Sequence, residues 1–352
     1  MFLALKEIRH EKLRYSLIVL LIFLISYLIF MLSSLAIGLA DENTVAIESW
    51  KTKSVILNKN SNLSLNQSLL TNKDLENLKT DDQTALVGQI GLVVKKSGRK
   101  TVNTQFIGLD EQQYIYQDLK LVSGKKAQGD NEVMLDASMK DKGYRIGDQL
   151  KLNDLDHKVK VTAFVKNAKI NIAPIIYGTL NTWKQLRHAS PDAVASGVIL
   201  KKKVNYNHEN AESYGVKNFI KKLPGYEAQN LTFEMMIGFL LVISLIIIGI
   251  FLYILTMQKL PNFAVLRAQG ISSKTLIASV VWQAAILIVV GVAIGLIMME
   301  LTMMSMPSAV PMSFTISTKL MGSIGMLVMG LIGSLLPVRS ILKVDPAQAI
   351  GA

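Results

Sequence analysis

The chain contains four uncharged apolar runs, each about as long as a membrane-spanning helix. They cover Leu17–Leu39, Met235–Met257, Thr275–Met299 and Leu320–Val338. About 20 predominantly apolar residues are needed to cross the hydrocarbon core of a bilayer as a helix. The pattern therefore predicts four transmembrane helices. Four glycines in the last run, and Gly291 with Gly295 in the third, predict close helix contacts rather than breaks.

The first run has an alternative interpretation as a cleaved signal peptide, because Gly38 and Ala40 are small residues at plausible cleavage positions. A signal peptide has an apolar core of about 7–15 residues. This run is uncharged over 23 residues, 17–39. We therefore predict an uncleaved membrane anchor.

Charged residues concentrate between the first and second runs. Residues 41–228 hold 28 of the 38 Lys and Arg and 21 of the 26 Asp and Glu. Apolar and β-branched patches there predict strands at Ser54–Leu57, Ala85–Val94, Thr101–Leu109, Gln149–Leu152, Lys158–Val165 and Val198–Lys201, with Pro174 among the breaks. Helical patches occur at Asn72–Leu78, Ala137–Lys142, Thr182–Arg187 and Glu209–Lys222. The turn at Gly143–Asp148, followed by two short strands, predicts a small β-barrel within the α/β domain.

The predicted fold class is a membrane α-helical protein with four transmembrane helices and a large mixed α/β extracytoplasmic domain inserted between helices 1 and 2. The predicted division is a lead-in helix 1–16, helix 1 at 17–40, the domain at 41–230, helix 2 at 231–258, a cytoplasmic loop or helix at 259–274, helix 3 at 275–303, an outer loop at 304–319, helix 4 at 320–340 and a tail at 341–352.

Short basic flanks predict the orientation, because Lys and Arg mark the cytoplasmic side. These residues precede run one, separate runs two and three, and follow run four: Lys6, Arg9, Lys12, Arg14, Lys259, Arg267, Lys274, Arg339 and Lys343. The loop between runs three and four offers only Lys319. We therefore predict cytoplasmic termini in the plasma membrane and an outer domain at 41–228.

Composition excludes several functional classes. The chain is 50% hydrophobic and 18% charged, where soluble domains carry about a quarter charged residues. It has no cysteine, which removes disulfides and thiolate metal sites. The net charge of +12 lies mostly in the outer domain, so it does not predict nucleic-acid binding.

Motifs for catalysis or nucleotide binding are absent from the sequence. His157, His188 and His208 lack metal-site spacing and are interpreted as solvated or structural. No Gly-x-x-x-x-Gly-Lys-Ser/Thr loop occurs, so the chain is predicted to bind no ATP and to be no enzyme.

Three motifs resemble those of one transporter family. The segment between runs two and three reads Leu260-Pro261-Asn262-Phe263-Ala264-Val265-Leu266-Arg267-Ala268-Gln269-Gly270, and the C-terminus contains Pro337-Val338-Arg339 and Asp345-Pro346. With the lead-in Leu5–Arg14, these resemble the FtsX-like, MacB-type permeases of ATP-binding cassette (ABC) transporters. Asn262 replaces the glutamate usual in that loop. The external stretches at 129–136 and 173–177 look most like the haem-exporter permeases, HrtB in type.

The resemblance implies a coupling helix that receives force from a separate ATPase. The residues it implicates are Pro261, Phe263, Leu266, Arg267 and Gly270. Residues 260–273 form an amphipathic patch with Phe263, Leu266 and Ile271 at the apolar positions, which could also be a linker lying on the membrane. The expected working unit is two copies of this chain with two ATPase subunits.

The predicted cargo site lies in the outer leaflet. Ionisable residues at the edge of the hydrocarbon are candidates for function, and Glu234 and Glu300 are both predicted there. With no intrinsic cofactor expected, the resemblance implies haem as the transported ligand, with Met31 and Glu234 as possible iron ligands. Tyr27, Phe30 and Phe233 would contact its ring. Alternatively, Glu234 favours a helix N-terminus and Met31 is a packed or lipid-facing side chain.

Other functions remain open at this point. A group of methionines near the outer end of run three predicts an adaptable apolar rim or, less favoured, a copper site: Met298, Met299, Met303, Met304 and Met306. Other members of the family would export lipoproteins, peptides or antibiotics, or would relay force to cell-wall hydrolases without transport.

Overall fold

The computed structural model describes residues 7, 10–95, 101–153, 155–307 and 310–342. The chain divides into two compact units, one of residues 1–38 and 230–352 and the other of residues 39–229. The α-helices in the described residues are α1 Lys12–Ser49, α2 Tyr114–Asp118, α3 Leu180–Arg187, α4 Val216–Lys221, α5 Tyr226–Ala268, α6 Ser273–Ser305, α7 Ile316–Gly333 and α8 Val338–Leu342.

Four of these helices, α1, α5, α6 and α7, are long and apolar enough to cross a membrane. The first three predicted apolar runs lie within α1, α5 and α6, and the fourth begins in α7; α1 and α5 continue well beyond their runs. The prediction for the fourth helix is wrong at its end. It was extended to residue 340, whereas α7 ends at Gly333 and turns lead into α8. Pro337 explains the break, because proline lacks the N–H that would continue the helix.

Of the predicted lead-in helix, residues 1–6, 8 and 9 lie outside the described part of the chain, and α1 begins at Lys12. The C-terminal motif at Asp345-Pro346 also lies outside it.

Glycines bring the spanning helices together, as predicted. A Cβ atom on Gly291 of α6 would lie 2.6 Å from Ile22 Cγ2 of α1. On α7, a Cβ on Gly322 would lie 2.6 Å from the ring of Phe30. Since carbon atoms do not approach so closely, only glycine permits these contacts. The small face of α6 is therefore used within the chain.

The second unit contains the strands. They are β1 Ser54–Asn58, β2 Leu70–Thr71, β3 Thr84–Lys95, β4 Val102–Leu109, β5 Leu121–Gly124, β6 Glu132–Asp136, β7 Gln149–Leu152, β8 Val159–Val165, β9 Lys169–Ile170, β10 Ala173–Thr179, β11 Ala193–Ala195, β12 Gly197–Leu200, β13 Asn207–His208 and β14 Ala211–Gly215. The main sheet has the order β13-β14-β1-β12-β3-β4-β10-β6-β8-β5. The second unit is thus mixed α/β, as predicted.

Strand β7 closes part of this sheet into a ring, because it pairs with both β3 and β8. The ring runs β3-β4-β10-β6-β8-β7 and returns to β3. Apolar side chains from its strands form one buried cluster, including Val94, Phe106, Leu135, Leu150 and Val161. The predicted small β-barrel is confirmed.

Four local predictions in this unit are wrong. Residues 209–222 were predicted to be helical, but Ala211–Gly215 is strand β14 and only Val216–Lys221 is helix. Pairing of β14 along β1 outweighs the local helical pattern. Pro174 was predicted as a break, yet it lies in β10 opposite Lys169 of the two-residue strand β9. The patches near residues 73 and 137 form short 3₁₀ turns rather than α-helices.

Candidate functional sites

Glu234 lies within α5 rather than at its start. The helix begins at Tyr226, eight residues earlier, and the acidic residue of its first turn is Glu227. A helix dipole acts mainly within the first turn. The alternative interpretation, in which Glu234 stabilises the helix N-terminus, therefore loses its basis. The Glu234 side chain is exposed, and Phe233 beside it is half-buried.

The second acidic residue predicted at the outer edge is paired. Lys319 of α7 forms an ion pair with Glu300 of α6, and its ammonium group lies 4.9 Å from the ring centre of Phe314. Among the described residues, Glu234 has no such ion pair. Of the two carboxylates, Glu234 is therefore the one available to a ligand.

The predicted cargo residues of α1 face different ways. Exposed leucines form a stripe along the helix, and Met31 continues it three residues after Leu28; its members are Leu13, Leu17, Leu20, Leu24 and Leu28. Met31 itself is half-buried at the edge of the helical core. The Tyr27 hydroxyl forms a hydrogen bond of 2.9 Å with the Thr302 hydroxyl of α6. Phe30 is fully buried.

Phe30 packs edge-to-face against Phe314, with ring centroids 5.8 Å apart. It also contacts Gly322 of α7, so its ring is enclosed by the chain's own helices. This position assigns Phe30 to the core of the helical unit and leaves it no exposed surface for a cargo. The predicted cargo set is therefore reduced to Met31, Glu234 and Phe233, with Tyr27 held by α6.

The outer methionines do not form one sulfur cluster. Met299 is fully buried and Met303 packs in the helical core, whereas Met298 is 40% exposed and Met304 is 84% exposed. Inward and outward side chains alternate as α6 turns. A copper site built from all of these sulfur atoms is not supported by this arrangement.

The predicted coupling segment is the end of α5 followed by a tight turn. The helix passes through Pro261 and ends at Ala268. Gly270 then adopts φ +91°, a left-handed conformation that favours glycine. Ser272 caps α6, its hydroxyl accepting a hydrogen bond of 3.3 Å from the Thr275 N–H.

The apolar side of this segment faces the chain itself. Phe263 is 1% exposed in a cluster with Leu276, Val280 and Ile341, and Leu266 packs against that cluster. Our prediction that Phe263 would meet a partner or the membrane is therefore wrong. Leu266 is half-buried and packs against the same cluster, so only part of its side chain can meet a partner or the membrane. An amphipathic pattern identifies the covered side, but not what covers it.

The outward side of the segment consists of other residues. Pro261, Asn262, Val265, Gln269 and Gly270 are exposed, and Val265 has 50% of its surface accessible. Arg267 is half-buried. A partner docking on the outward side of this segment would meet Asn262, Val265 and Gln269 first.

A buried polar network lies at the same end of the helical unit, and the sequence did not predict it. Lys259 of α5 is 8% exposed and donates to the Tyr15 hydroxyl at 2.7 Å and to the Glu7 carboxylate at 3.3 Å. Gln283 of α6 also donates to Glu7. The only sequence signal was the charge of Lys259, which we had interpreted as topology anchoring. The network joins the N-terminal segment to α1, α5 and α6.

The histidines form no metal centre. His157 and His188 line one open cleft of the strand-containing unit, but among the described residues no group of three His, Asp or Glu could hold an ion. An ion pair on the same unit is better defined. Lys201 donates to Asp118 at 2.8 Å, and this hydrogen bond holds the pKa of the Asp118 carboxyl below its usual range.

Comparison with known protein families decides the assignment of the C-terminal part. Residues 234–346 match the model of the FtsX-like permease C-terminal family. The chain carries an FtsX-like permease domain. Within the described residues this domain comprises most of α5, all of α6 and α7, and α8, so it contains Glu234, the turn at Gly270 and the outward Val265.

Two relatives extend the similarity of the permease domain to the whole chain. One, named putative hemin transport system permease protein HrtB of Staphylococcus haemolyticus, is 28% identical over 363 residues, covering 100% of this chain and 99% of the relative. Another of the same name, from Staphylococcus epidermidis, is 25% identical over 352 residues with the same coverage. The chain is thus of the ABC permease type, and its four long apolar helices indicate a membrane protein.

Among solved structures, the chain is similar to the periplasmic region of MacB from Actinobacillus actinomycetemcomitans. The identity is 14% and the TM-score is 0.36, over 48% of this chain and 92% of that one.

Proposed function

We propose that this chain is the permease subunit of an ABC-type pump that exports haem and protects the cell from its toxicity. The observation that carries the proposal is the full-length similarity to two permeases named for hemin transport. The carboxylates of the helical unit support the proposal, because Glu300 is paired with Lys319 whereas Glu234 is exposed and available to a ligand.

The proposed cargo contacts are Met31, Glu234 and Phe233, with two copies of the chain enclosing one haem. Thioether sulfur is a known axial ligand of haem iron, and a carboxylate oxygen is a plausible second one. Apolar side chains on α1 and α5 would cover the porphyrin, since both helices expose apolar stripes; that of α5 includes Met235, Phe239, Val242 and Ile246. Cytoplasmic termini, proposed from the basic flanks, would put this site in the outer leaflet.

The proposed source of energy is a separate ATPase, with two ATPase subunits serving two permeases. The sequence contains no phosphate-binding loop of its own. We propose that the ATPase docks on the outward side of the coupling segment, at Asn262 and Val265 near the end of α5 and at Gln269 just after it. Movement there would reach α6 directly, because the turn is only a few residues long.

The test is haem tolerance in a bacterial strain that lacks its own haem efflux. Expression of the chain with its ATPase should restore growth at toxic haem concentrations and lower cell-associated haem. The same pair with a hydrolysis-deficient ATPase is the control and should restore nothing. Normal assembly of the pair without any gain in haem tolerance would refute haem as the cargo and favour export of a lipoprotein, peptide or antibiotic.

A further inference from the structure

The hairpin between β9 and β10 has an unusual residue at its tip. Its two-residue loop consists of Asn171 at φ +53° and Ile172 at φ +64°. Loops of this kind need positive φ at both positions, which Asn and Gly adopt readily. A β-branched residue adopts positive φ only at a conformational cost. Ile172 is nevertheless there, with 40% of its surface exposed.

The hairpin is fixed to one level of helix α1. The Asn171 N–H donates to the Asn43 carbonyl at 3.1 Å, and the Ile172 N–H donates to the Glu42 carbonyl at 3.4 Å. Lys169 forms an ion pair with the Glu42 carboxylate. Three contacts therefore hold the tip beside residues 42 and 43.

This level is adjacent to the bilayer by chain connectivity alone. Glu42 follows Ala40, the predicted outer end of helix 1, by two residues, or about 3 Å of helix. The headgroup region extends about 5–7 Å beyond the hydrocarbon on each side. With helix 1 predicted to leave the hydrocarbon at Ala40, we expect the hairpin tip at headgroup depth.

The surroundings of the tip suit a lipid surface. Ile172 borders a cleft of about 800 Å³ whose lining is both polar and apolar, including Thr101, Asn103, Ala173 and Pro174. In the described part of the outer domain, the other exposed large apolar side chains are Val122 and Ile146. Neither has positive φ, so among these three exposed apolar side chains only Ile172 also has a strained backbone.

We propose that the β9–β10 hairpin is a membrane-contact element, in which Ile172 inserts into the headgroup region of the leaflet on the domain's side. An apolar side chain at this depth leaves water for the lipid boundary, which offsets the cost of its backbone conformation. The partner is the phospholipid surface itself.

The absence of cysteine allows a direct test by site-directed spin labelling. A nitroxide is attached to Ile172→Cys in the full chain, in nanodiscs of phosphatidylethanolamine and phosphatidylglycerol. Collision with oxygen, which partitions into lipid, is compared with collision with a water-soluble nickel complex. The matched control is Asn167→Cys, which is also exposed and has φ +57° but lines a cleft with Lys51, nine residues beyond Glu42.

We expect the oxygen-to-nickel collision ratio to be several-fold higher at position 172 than at position 167. Equal ratios at the two positions would overturn the proposal. Protection of position 172 from both reagents would also overturn it, because that result indicates burial against protein rather than lipid. Because cysteine is not β-branched, the substitution lowers the strain at the tip. The hairpin contacts with α1 stay in place, since they come from the backbone N–H groups of residues 171 and 172 and from Lys169.

Discussion

Two neighbouring substitutions at the end of α5 separate structural from coupling roles. Phe263→Asp removes a ring that is 1% exposed and puts a carboxylate in its cluster. Loss of a buried phenylalanine costs about 3–5 kcal/mol, and an unpaired buried charge adds to that. Val265→Asp acts on a side chain that is 50% exposed. Losing the buried apolar surface of Val265 costs about 1 kcal/mol of stability. A negative charge near the C-terminus of a helix costs up to about 1 kcal/mol more.

These magnitudes predict opposite results in two assays. Since proteins are stable by only about 5–15 kcal/mol, Phe263→Asp should sharply reduce abundance and thermal stability in detergent. Val265→Asp should accumulate normally with the ATPase, yet lose the coupling of ATP hydrolysis to export. Ser317→Asp, an exposed change of the same net charge at the start of α7, controls for added negative charge.

Either of two outcomes would refute this reasoning. A stable, abundant Phe263→Asp protein with lost coupling would mean that Phe263 meets the partner and not its own helices. A fully coupled Val265→Asp protein would mean that the outward side of the coupling segment is not the docking surface.

Three further predictions test packing and electrostatics. Lys259→Met should lower stability in thermal unfolding by about 2 kcal/mol, because it leaves the Glu7 carboxylate without its ammonium partner. The loss is smaller than for a fully buried pair, since the Glu7 side chain is 23% exposed. Adding Glu7→Gln should recover more than half of the lost stability. Gly291→Leu should cost about 1–3 kcal/mol by overpacking, whereas Gly238→Leu, which meets no atom within 4 Å, should be tolerated. The pKa of Asp118 is lower in the folded protein than in the unfolded chain, so its ionised carboxylate stabilises the fold at pH values above the unfolded-state pKa. This stabilisation is lost as the pH falls through the folded-state pKa. Asp118→Asn should therefore reduce the fall in unfolding free energy below about pH 4, by less than about 1 kcal/mol because the ion pair is exposed.

The spanning helices and the barrel were predictable because their signals are local. Long uncharged runs mark a bilayer span, and alternating short strands near glycine turns mark a barrel. Strand β14 was not predictable, since its identity depends on pairing with β1 across more than 150 residues of chain. Local propensity for residues 211–215 could not contain that information.

The site predictions were less accurate, because the hydrophobic pattern does not show which neighbours cover a side chain or pair with it. The spacing of apolar residues indicates that Phe30 and Phe263 lie on covered sides of their helices. Only the structure shows that other helices of the same chain cover them. Glu234 and Glu300 look alike in sequence, and the ion pair to Lys319 distinguishes them. The position of Glu234 depended on where α5 begins.

The central claim is that haem is held by Met31 and Glu234, and the absorption spectrum of bound haem tests it most directly. Purified protein with its ATPase should bind haem, and Met31→Ala and Glu234→Ala should each shift or abolish the Soret band. The controls His157→Ala, His188→Ala and His208→Ala should leave the band unchanged. A Soret band that survives both membrane substitutions but is lost in a histidine variant would contradict the account, and would place the haem contact in the outer domain.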